Sequence, residues 1–140
     1  MQAFPLTVDK FLEHAAKWAG EREVVTATGE GETLRIGYAA LRERCNRMSG
    51  ALMALGLAPG ERVGTLGWNT QHHFEIYYGA MGSGLVCHTL NPRQTLQHLA
   101  AMINEAEDRV LAVAASLAPL WRELPALCPV IEHIVVMDGE

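Results

Sequence analysis

The sequence has few cysteines, and no two of them lie close together. Cys45, Cys87 and Cys128 are widely spaced along a chain of 140 residues. An odd, scattered set without a CxxC pair argues against a disulfide-stapled secreted fold and against a cysteine zinc site. We therefore expect three reduced cysteines in apolar surroundings and a cytoplasmic protein.

Lysine and arginine are also sparse, and they form no cluster. The chain carries 11 Lys and Arg against 16 Asp and Glu, which gives a formal net charge of −5. A protein that holds nucleic acid needs a concentrated basic surface to neutralise the phosphate backbone. The composition therefore argues against nucleic acid as a partner.

No hydrophobic segment is long and continuous enough to predict a transmembrane helix. The uncharged stretch at 76–92 contains three glycines, a serine, a histidine, an asparagine and a terminal proline, whereas a bilayer requires about 20 mostly apolar residues. The N-terminus has Asp9 and Lys10 and no apolar core, unlike a signal peptide. With 49% hydrophobic and 19% charged residues, the composition is typical of a soluble globular chain.

Hydrophobic spacing predicts an α/β fold. The first part should contain an N-terminal helix capped by Thr7 and ended by Gly20, a β-hairpin with strands at 23–27 and 33–38 around a turn at 28–31, and a long helix that ends before Gly56. From Pro59 onward, strands are predicted at 62–68, 85–89, 109–114 and 133–137, and helices at 70–81, 96–106 and 117–127. Short apolar strands that alternate with amphipathic helices imply βαβ units and a mostly parallel sheet with helices on both faces.

The chain ends at Asp138-Gly139-Glu140, directly after a predicted strand and without a closing helix. We therefore expect residues 1–140 to be a single α/β unit that is an incomplete part of a larger domain.

Neither a metal site nor a catalytic nucleophile is predicted. The adjacent His72 and His73 point about 100° apart on a helix, and Glu75 alone could not complete a metal site. No GxSxG elbow occurs, and Cys87 and His88 are strand neighbours that should face opposite sides of the sheet.

A phosphate-binding loop is not predicted either. Neither GxGxxG nor GxxxxGK[ST] is present. The glycines at 79–84 follow a predicted helix, where carbonyl groups instead of N–H groups would meet a ligand. The glycine-containing turn at 28–31 is flanked by acids that would repel phosphate. The sequence therefore predicts no residue in this chain that binds a phosphate cofactor.

Polar residues follow two successive predicted strands, at the sheet edge where α/β proteins bind ligands. Trp68, Asn69 and Thr70 follow the first strand, and Asn91 and Arg93 follow the second. Asn69 or Thr70 could instead cap the next helix. Arg93 could bind a carboxylate or phosphate, or it could be a solvated charge.

The chain resembles the N-terminal part of AMP-forming acyl-CoA synthetases, most closely the medium- and long-chain fatty-acid group. The resemblance extends over about residues 3–138. The matching pieces are Tyr-x-x-Leu at the start of the long helix, Gly-x-x-x-Gly-Glu-Arg-Val before the first buried strand, Trp-Asn at its end, the glycine-rich return, Cys-His-Thr-Leu-Asn-Pro-Arg, and Asn-Glu-Ala-Glu-Asp-Arg-Val.

The resemblance implies an ATP-dependent fatty acid–CoA ligase. In that family a carboxylate reacts with Mg-ATP to give acyl-adenylate and pyrophosphate, and coenzyme A then displaces AMP. A Ser/Thr/Gly-rich loop ending in Pro-Lys-Gly, acidic ATP-binding motifs and a C-terminal domain with a catalytic lysine carry out this chemistry, and none of them occurs in residues 1–140.

The resemblance therefore implies that this chain is about the first quarter of such an enzyme. It would be a scaffold that is inactive alone, with ATP, Mg and CoA used only by the full-length enzyme. Trp68, Asn69, Asn91 and Arg93 would lie at the edge of its substrate cleft. Because a fragment exposes apolar surface, we also expect a homo-oligomer or some self-association.

The alternative is a self-standing α/β binding or interaction module without catalytic activity. A receiver domain fits poorly because the strand ends lack an acidic cluster, and a dinucleotide-binding domain fits poorly because the phosphate loop is missing. The length of the acyl chain is left open by the sequence.

Overall fold

A β-hairpin and a parallel sheet with helices on both faces make up the fold. The computed structural model describes residues 5, 7–27 and 31–139. The helices are α1 (Asp9–Trp18), α2 (Tyr38–Ala54), α3 (Gln71–Gly82), α4 (Leu96–Ala106), α5 (Ala118–Trp121) and α6 (Leu124–Leu127). The strands are β1 (Glu23–Ala27), β2 (Thr33–Gly37), β3 (Arg62–Leu66), β4 (Val86–Leu90), β5 (Val110–Val113) and β6 (His133–Val136).

The larger sheet has the strand order β4-β3-β5-β6, and every pair in it is parallel. Val63 on β3 is level with Cys87 on β4 and with Val110 on β5. At the other end of the strands, Leu66 of β3 is paired with Leu90 of β4. The carboxyl ends of β3 and β4 therefore lie side by side, and the predicted α/β class with a parallel sheet is confirmed.

Two hydrophobic cores form on the two faces of this sheet. Strand β5 reads VLAV and is buried at every position, as expected of a parallel strand that is covered on both sides. Leu111 and Val113 pack on the face covered by α4 and α6. Val110 and Ala112 pack on the face covered by α2 and α3. Because side chains alternate between the two faces along β5, this one strand contributes to both cores.

A third, smaller cluster joins the N-terminal helix and the hairpin to the domain. Leu12 of α1 packs with Leu41 and Cys45 of α2. The predicted Thr7 cap is wrong, because Val8 occupies the N-cap position of α1 and makes no side-chain cap hydrogen bond. The predicted hairpin strands are confirmed, whereas residues 28–30 of the predicted turn lie outside the described residues.

The predicted single helix at 117–127 is wrong. A short 3₁₀ turn at Ala115–Leu117 precedes α5, and α6 begins separately at Leu124. The break has a simple cause in Pro125, which lacks an N–H group and whose ring would clash with the carbonyl four residues earlier in a continuous helix. A proline is accepted in the first turn of a new helix, where Pro125 is found.

The helices of the described part of the chain include none that combines the length and the apolarity needed to cross a lipid bilayer.

Candidate functional site

An open cleft of about 350 Å³ lies at the carboxyl edge of the sheet, between the ends of β3 and β4. Trp68 and Asn69 line it from the loop after β3, and Asn91 and Arg93 line it from the loop after β4. The adjacent ends of two parallel strands bring these loops together. The structure thus places all four sequence-derived candidates on one cleft, and their contact with a ligand stays a prediction.

Trp68 and Arg93 stack across the cleft. The Arg93 guanidinium carbon lies 5.8 Å from the centroid of the Trp68 ring, within the range of a cation–π contact. Asn91 fixes the loop below it, because its side-chain oxygen accepts a 2.9 Å hydrogen bond from the Arg93 backbone N–H. Within the described residues, Arg93 forms no ion pair with a carboxylate. Its charge is therefore available to an anion in the cleft.

At the start of α3, the helix is capped by Thr70 and not by Asn69. Thr70 is the N-cap, and its hydroxyl accepts a hydrogen bond from the backbone N–H of His73. The first helical N–H group, that of Gln71, donates to the hydroxyl of Thr26 at 2.8 Å. Asn69 is exposed and takes no part in the cap. Asn69 lines the cleft instead.

Several backbone amides at the starts of α3 and α4 already have hydrogen-bond partners within the protein. The N-terminal amides of α3 donate to Thr70 and Thr26, and the N-terminus of α4 is capped in the same way by Thr95. A phosphate cradle needs such amides to be free. The glycines after α3 serve packing and turning instead, because a Cβ on Gly79 would lie 2.7 Å from Met48 Cγ and Gly84 has a φ of +79°. Among residues 5, 7–27 and 31–139, no group of three potential ligands could hold a metal ion.

The charges of the sheet are paired mainly at its opposite, amino edge. Arg109, just before β5, bonds to Glu61 and to Glu132, and its Nη2 lies 2.6 Å from the Glu132 carboxylate. Arg62, at the start of β3, pairs with Glu107 at 2.6 Å. The carboxyl edge therefore carries the available arginine, while these amino-edge arginines are neutralised by acids.

His73 is buried behind the cleft loop, where sequence reasoning placed no functional residue. Its Nδ1 lies 3.0 Å from the Trp68 carbonyl oxygen, and its Nε2 lies 2.9 Å from the Thr65 hydroxyl. Its ring stacks on Tyr77 with centroids 4.8 Å apart. Because a carbonyl only accepts, Nδ1 carries the proton and Nε2 accepts from Thr65. Burial lowers the pKa of His73, and the hydrogen bond to the Trp68 carbonyl limits this decrease.

A sequence signal for His73 did exist. His73 and Tyr77 are four residues apart, which places them on one face of α3, and Thr65 is a polar residue within an otherwise buried strand. His72 points elsewhere, with its Nδ1 4.0 Å from the Glu75 carboxylate. The two adjacent histidines therefore have separate surroundings, as their spacing predicted.

A second polar pair, of one partly exposed and one buried side chain, lies on the other side of the sheet. Nδ1 of His88 donates a 2.8 Å hydrogen bond to Asp108, which is fully buried. Burial raises the pKa of the Asp108 carboxyl, and His88 opposes that rise. A Cβ on Gly64 would lie 2.8 Å from the same carboxylate, so only glycine leaves it room. Cys87 packs with the α2/α3 core, so the prediction that Cys87 and His88 face opposite sides is confirmed.

Comparison with known proteins gives a family match along nearly the whole chain. The family model described as "AMP-binding enzyme" matches residues 11–140. The 3-methylmercaptopropionyl-CoA ligase of Ruegeria lacuscaerulensis is 39% identical over 98% of this chain and 25% of its own length. The long-chain-fatty-acid–CoA ligase of Thermus thermophilus is 41% identical over 99% of this chain and 27% of its own length. The medium-chain-fatty-acid–CoA ligase of Ectopseudomonas oleovorans is 36% identical over 94% of this chain.

These matches extend over only part of each relative, since the chain spans about a quarter of the length of the curated relatives it matches. Solved structures show the same fold. The N-terminal domain of FACL13 from Mycobacterium tuberculosis has a TM-score of 0.86 at 22% identity, over 96% of this chain and 34% of that one. The anthranilate CoA ligase AuaEII has a TM-score of 0.85 at 22% identity, over 99% of this chain and 27% of that one.

Proposed function

This chain belongs to the AMP-binding enzyme family, and from that membership we propose that it is the N-terminal segment of an AMP-forming fatty-acyl-CoA synthetase. The family match over residues 11–140 carries the proposal. The names of three relatives, all CoA ligases matched over a quarter of their length, support it. In this proposal residues 1–140 are one incomplete α/β unit, and the phosphate loop and C-terminal domain belong to the remainder of the protein.

The proposed reaction joins a fatty carboxylate to coenzyme A in two steps. Mg-ATP supplies the adenylyl group and releases pyrophosphate, and the thiol of coenzyme A then displaces AMP. The proposal assigns phosphate binding to the remainder of the protein, and it is supported by Thr70, Thr26 and Thr95, which each accept a hydrogen bond from one backbone amide at the start of α3 or α4. The contribution of this segment is the parallel sheet and one wall of the substrate cleft, which hold the reactants in position.

ATP–pyrophosphate exchange tests this function. With the full-length protein of the source gene, we expect exchange that depends on an added fatty acid, measured over a series from butyrate to palmitate. With residues 1–140 alone, we expect exchange no higher than in a blank without protein, and circular dichroism should show that this chain retains helical structure. Exchange by the isolated chain, or none by the full-length protein with any carboxylate, would contradict the proposal.

The cleft-edge assignment can be tested at Asn69. We propose that Trp68, Asn69, Asn91 and Arg93 face the carboxylate substrate, because all four line the same cleft. Replacing Asn69 by Ala in the full-length protein should raise KM for the carboxylate by roughly three- to tenfold, the effect of one lost polar contact. Stability should change by no more than about 0.5 kcal/mol, since the side chain is exposed.

The matched control for Asn69→Ala is Asn46→Ala, because Asn46 is an exposed asparagine on α2, away from the cleft. That variant should leave the kinetics unchanged. Unchanged acyl-substrate kinetics in Asn69→Ala, with normal stability, would overturn the assignment of Asn69 to the cleft edge.

We also propose that the protein self-associates. Phe11 and Trp18 are 58% and 70% exposed, and their seven-residue spacing places them on one face of α1. In sedimentation velocity at micromolar concentration we expect species larger than the monomer, and replacing both residues by Ser should shift the distribution toward monomer. Trp68→Ser is the control, because Trp68 is exposed outside α1. A single monomer boundary for the unchanged protein at every concentration would contradict this proposal.

A cytoplasmic location is part of the same proposal. Cys45, Cys87 and Cys128 are all free thiols, which is typical of proteins kept in a reducing compartment.

A further inference from the structure

We infer that His73 is a positioning residue that fixes the loop carrying Trp68 and Asn69, and with it the shape of the cleft. The inference rests on the proposed function, because it concerns the same cleft. His73 lies on α3, yet its ring reaches both the end of the loop and the interior of β3. One side chain therefore joins the three elements that meet behind the cleft.

Both ring nitrogens have hydrogen-bond partners, and the bond from Nδ1 is the one that reaches the loop. Nδ1 donates to the Trp68 carbonyl, which also accepts from the Thr70 backbone N–H at 2.8 Å. Nε2 accepts from the Thr65 hydroxyl. Both nitrogens form their hydrogen bonds in the plane of the flat ring, and the stacked Tyr77 ring supports the same plane. A purely apolar core side chain would leave the Thr65 hydroxyl without this partner and the Trp68 carbonyl with only the Thr70 N–H group.

The loop backbone at Gly67 lies beside the His73 ring. A Cβ on Gly67 would lie 3.5 Å from His73 Nδ1 and only 2.6 Å from the Met137 methyl carbon. The backbone at position 67 therefore lies beside the imidazole, and a side chain there would be in ordinary contact with His73 but would have to displace the Met137 methyl group. The next residue, Trp68, then directs its carbonyl toward His73, and its ring stacks with Arg93 at the cleft.

His73 also borders two spaces. Together with Tyr77 it lines the cleft and a neighbouring pocket of about 230 Å³ on the hairpin side, where Val24, Val25 and Phe74 form apolar walls. The His73 ring thus borders both the cleft and this pocket, as Asn69 and Tyr77 also do. A variant that keeps an aromatic ring but lacks the two nitrogens would still fill the space between the cleft and the pocket. It would remove only the hydrogen bonds to Trp68 and Thr65.

His73→Phe is that variant, and Thr65→Val is its matched control. Both remove buried hydrogen bonds and should lower thermal stability, but Thr65→Val leaves the bond between His73 and the Trp68 carbonyl in place. A merely structural role would give similar effects for both. A positioning role predicts that His73→Phe alone loosens the loop.

The experiment uses the full-length protein and two readouts. Hydrogen exchange measured by mass spectrometry should be about tenfold faster for a peptide spanning 67–72 in His73→Phe, as expected for one lost hydrogen bond. In pyrophosphate exchange, KM for the carboxylate should rise about tenfold with kcat within about twofold. Thr65→Val should match the unchanged protein in both readouts. If His73→Phe does not fold, His73→Met, which has no N–H donor, is measured in the same way and should show the same changes.

Unchanged loop exchange in His73→Phe, or equal loop exchange in the two variants, would overturn the inference. If the unchanged protein activates no carboxylate, the proposed function fails, and the hydrogen-exchange result alone decides whether His73 positions the loop.

Discussion

Replacing His88 by Leu is expected to destabilise the protein by about 3 kcal/mol at pH 7.5, because it leaves Asp108 as a buried carboxylate without its hydrogen-bond partner. The second oxygen of Asp108 has no partner among the described residues either. The matched control is His98→Leu, because His98 is an exposed histidine whose ring forms a hydrogen bond with the exposed Gln94. Urea denaturation should show a change of no more than about 0.5 kcal/mol for that control.

The His88→Leu deficit should depend on pH. Burial raises the pKa of Asp108 above its ordinary value of 3.8, and His88 limits this rise. The pKa of Asp108 is therefore higher in the folded state than in the unfolded state. At pH values between the two, the unfolded state has released the proton that the folded state still holds, so stability falls as pH rises through this window. Without His88 the folded pKa rises further. The difference from the unchanged protein should therefore be smaller at about pH 4.5 than at pH 7.5.

The double variant His88→Leu/Asp108→Asn distinguishes the effect of the buried Asp108 charge from the effect of altered packing. Because an amide does not titrate, the double variant should lose most of the pH dependence and recover part of the stability at pH 7.5. A His88→Leu deficit that is equal at both pH values would contradict the assignment of the loss to the Asp108 charge.

Replacing Leu111 by Ala should cost about 4 kcal/mol, the larger of the two effects on the fold. Leu111 is fully buried in β5, between β3 and β6, and it packs in the core under α4 and α6. Truncation removes apolar contacts and leaves a cavity that the surrounding strands and helices fill only in part. The urea midpoint should fall with the slope unchanged.

Leu34→Ala is the control for Leu111→Ala, since Leu34 is 48% exposed on the hairpin strand β2. Its expected cost is no more than about 0.5 kcal/mol. Similar losses of stability in the Leu34→Ala and Leu111→Ala variants would contradict the central position of β5 in the core. Because β5 is paired with β3, a weakened β5 also weakens the strand from which the cleft loop begins.

The sequence by itself determined the order and type of most elements, because their signals are local. Helix α4 occurs at the predicted residues Leu96–Ala106, and the strand at 85–89 is shifted by one residue, to Val86–Leu90. Periodic burial of apolar residues is carried by each segment alone. The error at 117–127 is also local. The apolar stripe predicted one helix, but Pro125 divides it. A proline has no backbone N–H to donate within a helix, whatever the pattern of apolar residues around it.

Which polar residues meet was only partly accessible from the sequence. That Trp68 and Asn69 follow one strand and Asn91 and Arg93 follow the next was visible. The general rule for parallel sheets then placed both pairs at the carboxyl edge. The cleft they share required β3 and β4 to be direct neighbours, which is a property of the strand order.

Tertiary structure alone decided the contacts of His73 and of Asp108. His73 lies five and eight residues from Trp68 and Thr65, but a turn between strand and helix brings the three together. Asp108 lies 20 residues from His88, and the packing of strands around β3 joins them. Local periodicity cannot specify these contacts, because each forms only when a strand packs against other segments and buries polar groups that then hydrogen-bond to one another.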